Sequence, residues 1–221
     1  MKSPDIRAGG LLLALWLTLV SAALWARPLM PIDETRYLSV AWDMWQKGEF
    51  LVPHLNGLPY SHKPPFFFWC IHLGWLLFGV NDVSARLTAP VFGLLNLFLT
   101  GHLAARLWPD DKAARRLAPF VLMGLPLWAA METLTMFDML LTFFVLWAAI
   151  GVLMARGGKS VCGWSLYAAA VGGGILTKGP VVLLYVLPLM LAAPWWAVGK
   201  PVVSWRRWYL GGAAALAGGV A

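Results

Sequence analysis

Two adjacent carboxylates, Asp33 and Glu34, are the first residues of this chain that could do chemistry. They precede a stretch, Thr35 to Gln46, in which apolar residues recur at three- and four-residue steps, as on a helix. Because side chains at i and i+1 on a helix do not face each other, we expect the two carboxylates to have different partners. Either one can simply cap the helix N-terminus. A carboxylate at this place can also act as a general base or as a substrate anchor.

A second candidate element is the run Tyr60-Ser61-His62-Lys63-Pro64-Pro65. The two prolines force an extended backbone at Lys63 and so fix the direction of its ammonium group. An ammonium group held in this way suits a phosphate, which lysine binds as a point charge. The alternative is that Lys63 reaches ordinary lipid headgroups. His62 is a candidate base or metal ligand, although a lone histidine at an interface usually serves as neither.

Two more acids stand beside apolar segments: Asp138 begins one of them, and Glu132 lies on the other side of the same turn. An acid next to hydrocarbon is energetically costly and is therefore a functional candidate, Asp138 more than Glu132. Helix capping is the alternative for Asp138. The chain has no HExxH, CxxC, GxSxG or P-loop motif. Gly172-Gly173-Gly174 lies inside an apolar segment and indicates close helix packing rather than a nucleotide cradle.

The composition indicates the environment of these residues. Of the 221 residues 60% are hydrophobic and only 12% are charged, and the mean hydropathy is +0.71; soluble domains carry about 25% charged residues. An ordinary cytosolic enzyme, a disordered tail and a small secreted module are therefore excluded. The net charge of +7 lacks the dense basic run that nucleic-acid binding requires. We predict an all-α integral membrane protein with no nucleic-acid partner, no cofactor and no bound metal. Because the sequence shows no soluble nucleotide-binding unit, we expect any activated donor to be carried by a lipid.

The distribution of Lys and Arg predicts the topology. We expect membrane-spanning segments at about residues 9–26, 83–107, 117–134, 138–155, 161–177, 180–198 and 208–221. Most Lys and Arg fall in alternate loops between them, which places the N-terminus in the cytoplasm and the loop 27–82 outside. Within that loop, residues 35–46 and 66–80 are expected to form interfacial helices. Lys178 then lies on the outer side, against the rule, which indicates an anionic partner or a side chain that snorkels to the interface.

Three runs of the outer loop resemble a known family: Asp33-Glu34-Thr35-Arg36-Tyr37, Val52-Pro53-His54-Leu55-Asn56-Gly57-Leu58-Pro59-Tyr60 and Lys63-Pro64-Pro65. They are similar to the first outer loop of the polyprenyl-phosphate-dependent glycosyltransferases. Within this group the chain most resembles the 4-amino-4-deoxy-L-arabinose lipid A transferases and their relatives in the dolichyl-phosphate-mannose protein mannosyltransferase superfamily. The similarity continues through Phe78-Gly79-Val80-Asn81, Arg86, Asp138 and Leu176-Thr177-Lys178-Gly179.

Two departures from the family are visible. The aminoarabinose transferases usually have Glu at the position of His62. The family is also more than twice as long, with further spans and a periplasmic C-terminal domain. We therefore expect this chain to be the N-terminal portion of a longer transmembrane domain, because its last apolar segment ends at Ala221 without a stop signal.

The resemblance implies a GT-C-type multi-span helical bundle in the bacterial inner membrane, with its catalytic cavity on the periplasmic side. The activity implied is sugar transfer from undecaprenyl phosphate to a lipid or protein acceptor in the periplasm, with lipid A as the leading candidate. Asp33 would be the catalytic carboxylate, and Lys63 would bind the donor phosphate. Together with the patterns above, the resemblance predicts substrate-binding roles for seven further residues: Glu34, Arg36, Tyr37, Tyr60, His62, Asp138 and Lys178. The alternative is a lipid-phosphate binding or transport subunit without catalytic activity.

Overall fold

A computed structural model describes residues 3–196 and 204–220 of the chain. The chain divides after Leu140 into two compact units. The helices are α1 (Ser3–Ala26), α2 (Asp33–Lys47), α3 (Phe66–Phe78), α4 (Asp82–Leu107), α5 (Lys112–Met123), α6 (Pro126–Glu132), α7 (Asp138–Arg156), α8 (Ser160–Lys178), α9 (Val182–Leu191), α10 (Ala193–Trp196) and α11 (Trp205–Val220). A short antiparallel hairpin pairs β1 (His54–Leu55) with β2 (Leu58–Pro59), and a 3₁₀ turn covers Gly179–Val181.

Within the described residues, four stretches are long and apolar enough to cross a membrane: Ile6–Ala26, Asp82–Leu107, Asp138–Arg156 and Ser160–Leu191. The predicted segment 117–134 is divided between α5 and α6. Pro126 begins α6 at a position where its missing N–H does no harm, and it separates this helix from α5. The ends of the predicted segments 180–198 and 208–221 lie outside the described residues, so the number of crossings stays a prediction.

In the first unit, α1 packs against α4 along one stripe. Leu12, Trp16 and Val20, spaced four residues apart, are buried in a cluster with Leu97. The Trp16 indole Nε1 donates a hydrogen bond of 3.1 Å to the carbonyl of Pro90. Because lipid is as apolar as leucine, this contact depends on van der Waals packing and the buried hydrogen bond rather than on the hydrophobic effect.

The outer loop folds into a compact cluster around α2. Its buried residues Tyr37, Val40, Ala41 and Met44 follow helical spacing and form one face. The helix ends as the Lys47-Gly48 pair predicts: Gly48 adopts a left-handed φ of 66°, and its N–H donates to backbone carbonyls of the last turn. Helix α3 packs on the same face, and together these elements form the support of the candidate site.

In the second unit, close helix packing depends on glycines. A Cβ on Gly163 would lie 2.4 Å from the backbone N of Ala155, so α7 and α8 approach each other at backbone distance. A Cβ on Gly172 would lie 3.1 Å from the carbonyl O of Gly219 in α11. The predicted packing role of the glycine run is therefore confirmed. The indole Nε1 of the buried Trp208 donates 3.1 Å to the carbonyl of Met190 and joins α11 to α9.

Candidate active site

Asp33 is the first residue of α2, directly after a strained turn. Ile32 has a φ of 74°, which is rare for a β-branched residue. Strain of this kind costs of the order of 1–3 kcal/mol and is maintained by the surrounding structure. Here the Met30 N–H donates 2.7 Å to the Glu34 carboxylate and closes the turn. This hydrogen bond joins a residue before Asp33 to the residue after it, and so fixes the backbone at Asp33.

The Asp33 carboxylate is half exposed, at 49% of its side-chain area, and it accepts hydrogen bonds on one oxygen. Arg36 donates to Oδ1 through Nη2, and the Tyr37 hydroxyl lies 3.5 Å from the same atom. These donors stand three and four residues further along α2, so all three side chains share one helix face. The arrangement holds the carboxylate at the surface, where a ligand can reach it.

Lys63, from a later part of the outer loop, lies next to an aromatic ring that contacts Tyr37. Its ammonium nitrogen lies 5.6 Å from the centre of the Phe137 ring, within cation–π distance. The Phe137 ring meets Tyr37 edge to face, with a centroid separation of 5.0 Å. Asp33 and Lys63, 30 positions apart in sequence, therefore contact the two members of one aromatic pair. We call Asp33, Lys63, Tyr37 and Phe137 the central group.

Tyr60 adds a buried hydroxyl to this surface. The residue is 7% exposed, and its hydroxyl has no hydrogen-bond partner within the described part of the chain. Burial raises the pKa of Tyr60, while Arg36 lowers it and Asp33 raises it, so both charges lie close to the phenol. The exposed His62 packs on Tyr60 with ring centroids 5.2 Å apart. A buried donor without a partner calls for an explanation, and a bound ligand can satisfy it.

Glu34 points away from the central group, as expected for neighbours on a helix. It is 1% exposed and forms an ion pair with Arg27. It also accepts a 2.7 Å hydrogen bond from the Thr135 N–H, and Arg27 Nη2 donates 2.7 Å to the carbonyl of Thr133. The prediction of different partners for the two carboxylates is confirmed. We call Glu34, Arg27 and the 133–135 backbone the clasp; substrate contact by Glu34 stays a prediction.

The clasp sets the charge state of Glu34. Burial by itself raises the pKa of this carboxyl, but the hydrogen bonds from Arg27 and from the backbone N–H groups of Met30 and Thr135 outweigh it. The pKa is lowered to about 2. Glu34 is thus an ionised structural group that fixes the turn leading to Phe137.

Arg86 supports the clasp from α4. Its guanidinium donates 2.8 Å to the carbonyl of Arg27 and contacts the carbonyls of Ala23 and Leu24 at 3.3 and 3.4 Å. A cation at the negative end of a helix dipole is favourable, and here it also donates to carbonyls at and just beyond the C-terminal end of α1. Sequence reasoning assigned no role to Arg27, Thr135 or Phe137. Arg27 meets Thr133, and Thr135 meets Glu34, across more than 100 positions of sequence, so no local pattern marks these contacts.

The remaining candidates occupy different places. Asp138 begins α7 directly after Phe137 and is partly buried. Glu132 is fully buried against Gly93, where a Cβ would lie 2.4 Å from its carboxylate oxygen. Lys178 ends α8 in the second unit, and its contact with a donor stays a prediction. Among residues 3–196 and 204–220 no three His, Cys, Asp or Glu side chains form a metal-binding group.

A family described as "Dolichyl-phosphate-mannose-protein mannosyltransferase" matches residues 62–219, which is more than half of the chain. The chain therefore belongs to this family. The predicted fold class, an all-helical GT-C membrane fold, is confirmed by the match to a solved structure given below.

Curated relatives carry the name undecaprenyl phosphate-alpha-4-amino-4-deoxy-L-arabinose arabinosyl transferase. One from Pseudomonas aeruginosa (strain LESB58) is 33% identical over 182 residues, which is 80% of this chain and 31% of the relative. Another, numbered 2, from Pseudomonas fluorescens (strain Pf0-1), is 30% identical over 214 residues, or 95% of this chain and 37% of the relative. The chain therefore spans about a third of the length of these relatives.

The crystal structure of ArnT from Cupriavidus metallidurans bound to undecaprenyl phosphate matches the fold with a TM-score of 0.77. The two sequences are 28% identical, and the match covers 95% of this chain and 39% of that one. The same protein in the apo state matches with a TM-score of 0.73. These comparisons confirm the resemblance inferred from the outer-loop motifs and show a multi-pass membrane protein.

Proposed function

We propose that this chain forms the catalytic outer-loop region of a membrane glycosyltransferase. The enzyme moves a sugar from undecaprenyl phosphate to a periplasmic acceptor, for which lipid A is the leading candidate. The observation that carries this proposal is the convergence of Asp33 and Lys63 on the Tyr37–Phe137 pair. The names of the relatives and the ligand of the ArnT structure support the donor class. The protein resides in the inner membrane with its N-terminus in the cytoplasm.

The reaction is a displacement at the anomeric carbon of the sugar. An acceptor oxygen forms a bond to that carbon, and the bond from carbon to the phosphate oxygen of the donor breaks. The electron pair leaves with undecaprenyl phosphate, on which negative charge builds up. The Lys63 ammonium group stabilises this charge in the transition state. The Phe137 ring, whose centre lies 5.6 Å from the ammonium nitrogen, helps to hold the ammonium in place.

Asp33 acts on the acceptor. Where the acceptor is a hydroxyl group, the carboxylate takes its proton as a general base. Where the acceptor is a phosphate, which is already ionised, Asp33 positions it. Arg36 and Tyr37 hold one carboxylate oxygen and leave the half-exposed side chain directed at the ligand. The Tyr60 hydroxyl, which has no partner in the described structure, donates to the donor phosphate.

The test is a transfer assay in membranes that contain the chain, with radiolabelled undecaprenyl-phosphate sugar as donor. Asp33→Asn keeps the size of the side chain and one acceptor oxygen but removes the negative charge, and it is expected to lower transfer by about 100-fold or more. Lys63→Ala is expected to lower transfer by a similar factor of about 100, because the leaving phosphate loses its counter-charge. Glu49→Gln and Lys47→Ala are matched controls, since both charges lie in the same outer loop outside the central group.

The outcomes separate the two function classes. Loss of transfer in both variants, with activity retained in both controls, supports the enzyme. Binding of labelled donor without any transfer by the unaltered chain identifies a lipid-phosphate binding or transport subunit instead. Transfer that persists in Asp33→Asn overturns the mechanism.

A further inference from the structure

The turn between α6 and α7, which carries Phe137 of the central group, contacts α4 at both of its ends. Before the turn, Glu132 packs against Gly93, where a Cβ would lie 2.4 Å from the carboxylate oxygen Oε1. After the turn, Asn96 Nδ2 donates a buried hydrogen bond of 2.8 Å to the carbonyl of Met139. We call these four residues the α4 bracket: Gly93, Asn96, Glu132 and Met139.

Asn96 is a polar residue inside an apolar helix. It is 0% exposed and lies within Asp82–Leu107, a stretch long and apolar enough to cross a membrane. A buried polar side chain is costly unless it is hydrogen-bonded, and in a membrane-spanning helix it is a functional candidate. The bond from Asn96 crosses 43 positions of sequence and reaches the first turn of α7. Asn96 therefore fixes the end of the turn rather than the shape of α4.

Gly93 leaves room for the Glu132 side chain on the same face of α4, one helical turn before Asn96. A Cβ at residue 93 would lie 2.5 Å from Cγ and 2.7 Å from Cδ of Glu132, well inside van der Waals contact. Glu132 is 0% exposed, so its side chain has no solvent to swing into. A larger residue at position 93 therefore displaces Glu132 and the start of the turn with it.

The two ends of this short turn determine where the Phe137 ring lies. Phe137 is the last residue before α7 and is 1% exposed. Its ring packs on Phe67 with a centroid separation of 4.6 Å, and its centre is 5.6 Å from the Lys63 ammonium nitrogen. The clasp holds the middle of the turn, and the α4 bracket holds its ends. The position of Phe137 therefore depends on contacts with α4 that are remote from the central group in sequence.

We propose that Gly93, Asn96 and Glu132 are positioning residues that act on the reaction through Phe137 and Lys63. They fix the turn, the turn fixes the Phe137 ring, and the ring fixes the ammonium group that stabilises the leaving phosphate. A misplacement of about 1 Å, caused far from the chemistry, can lower the rate by about 100-fold. This inference rests on the proposed function, because it deepens the role given there to Lys63.

The first experiment follows the position of Lys63 independently of activity. The lysines of the chain are reductively methylated with ¹³C-formaldehyde in detergent, which keeps their charge, and the Lys63 methyl resonance is assigned with Lys63→Arg. A methyl group beside an aromatic ring has a ring-current shift, so this resonance reports the distance to Phe137. Asn96→Ala is expected to move it toward the resonance of the exposed Lys47. Thr100→Ala is the matched control, because the Thr100 hydroxyl bonds within α4, to the carbonyl of Asn96.

The second experiment is the transfer assay with labelled undecaprenyl-phosphate sugar, expressed per amount of folded chain. Asn96→Ala is expected to lower kcat about 10-fold and to change the donor KM less, because the affected charge develops in the transition state. Since Asn96 acts through Lys63, the variant Asn96→Ala/Lys63→Ala should be as slow as Lys63→Ala alone. A general loss of structure would multiply the two effects instead. Thr100→Ala is expected to keep full transfer.

A second set of variants tests the contact between Gly93 and Glu132. Gly93→Ala is expected to lower kcat about 10-fold and to move the Lys63 methyl resonance. Glu132→Gln keeps the shape of the side chain and should leave both unchanged. Gly93→Ala/Glu132→Ala removes the atoms that the new Cβ would meet, so it should recover part of the transfer lost in Gly93→Ala. Gly10→Ala in α1 is the control, because no atom lies within 4 Å of its Cβ position.

Three results would overturn the inference. A Lys63 methyl resonance that is the same in the unaltered chain, Asn96→Ala and Gly93→Ala would mean that the α4 bracket does not position Lys63. Multiplied losses in Asn96→Ala/Lys63→Ala would mean that Asn96 acts elsewhere. Loss of transfer in Glu132→Gln would assign Glu132 a role of its charge. Full transfer in Lys63→Ala would overturn the proposed function itself, whereas the methyl resonance reports the positioning of Lys63 separately.

Discussion

Asp33 and Glu34 are neighbours in sequence, yet their carboxylates have opposite environments. The Asp33 side chain is half exposed next to Tyr37 of the aromatic pair, whereas Glu34 is 1% exposed within the clasp. A helix turns by about 100° per residue, so only one of two adjacent side chains can face a given ligand. At the scale of single residues, the structure therefore leaves one carboxylate of the pair at the surface and uses the other as support.

The ionised state of Glu34 predicts a pH dependence of stability. Because its pKa is about 2 when folded and 4.5 ordinarily, the ion pair stabilises the folded state fully above pH 4.5 and loses its contribution as the pH falls toward 2. This lowering of the Glu34 pKa corresponds to about 3 kcal/mol of folding free energy at neutral pH. Glu34→Gln is expected to destabilise the chain by about 3–5 kcal/mol at neutral pH, since Arg27 is left without its partner. Chemical denaturation in detergent, from pH 3 to 7, measures both quantities.

Glu49→Gln is the matched control, because the Glu49 side chain is 50% exposed. Its unfolding curve should follow that of the unaltered chain at every pH. A gap between Glu34→Gln and the unaltered chain that stays constant from pH 7 to 3 would contradict the assigned charge state of Glu34.

The Tyr60 hydroxyl predicts a separation of stability from binding. Tyr60→Phe removes a buried polar atom that has no partner within the described residues, so the melting temperature should stay the same or rise. Donor binding should weaken by about 10-fold or more, the effect of one lost hydrogen bond to a charged group. Equilibrium binding of labelled donor, together with thermal unfolding, gives both values. Unchanged donor affinity in this variant would mean that the hydroxyl does not meet the donor.

At the scale of elements, the packing inside the first unit differs from the packing inside the second unit. Around α2 the outer loop uses aromatic side chains and buried polar contacts, such as the 2.9 Å bond from His72 of α3 to the carbonyl of Ala41. In the second unit, α7, α8 and α11 approach through glycines. Small residues at helix contacts are expected where helices associate in lipid, because close approach of the backbones supplies the packing energy.

Gly163→Ala is expected to lower the melting temperature for this reason. Alanine normally stabilises a helix by about 0.5–1 kcal/mol relative to glycine, but here the new Cβ would meet backbone atoms of Ala155 and Gly151 at 2.4 and 2.6 Å. Backbone cannot move aside as a flexible side chain does. Gly218→Ala is the control, because no atom lies within 4 Å of its Cβ position. Thermal unfolding in detergent that shows equal stability for both variants would refute close packing at Gly163.

At the scale of the whole molecule, the distribution of charge predicts the membrane orientation. Lys and Arg cluster in alternate loops, and Asp33, Tyr37 and Lys63 lie in the loop 27–82, so we expect a ligand to reach the central group from one side of the membrane only. The chain spans about a third of the length of its curated relatives. The region described here is the part of such a protein that contains the outer-loop carboxylate and ammonium groups.

This orientation is tested with single cysteines in a chain that carries Cys70→Ser and Cys162→Ser. Ser61 and Asp110 are both exposed, in the outer loop and between α4 and α5 respectively. Ser61→Cys is expected to react with an impermeant maleimide in intact spheroplasts, and Asp110→Cys only after permeabilisation. The reverse labelling pattern would place the candidate active site in the cytoplasm and overturn the proposed reaction.

Several features were predictable from the sequence because their causes are local. Apolar runs specify membrane helices, Lys47-Gly48 specifies the end of α2, and the glycine run specifies close packing. The helical position of Asp33 and Glu34 was enough to predict that they have different partners. The outer-loop motifs identified the family, since their order and spacing remain in the chain whatever its fold.

The clasp and the central group were decided only by the tertiary structure. Glu34 meets the Thr135 N–H across 101 positions of sequence, and Arg27 meets the Thr133 carbonyl across 106. No periodicity or capping rule extends over such separations, because contacts of this kind depend on how α1, α4 and the turn before α7 pack. Hydropathy and helix signals act between near neighbours, so they determined the membrane class and the elements. The partners of each charged side chain depend on packing in three dimensions, so only the folded chain determined them.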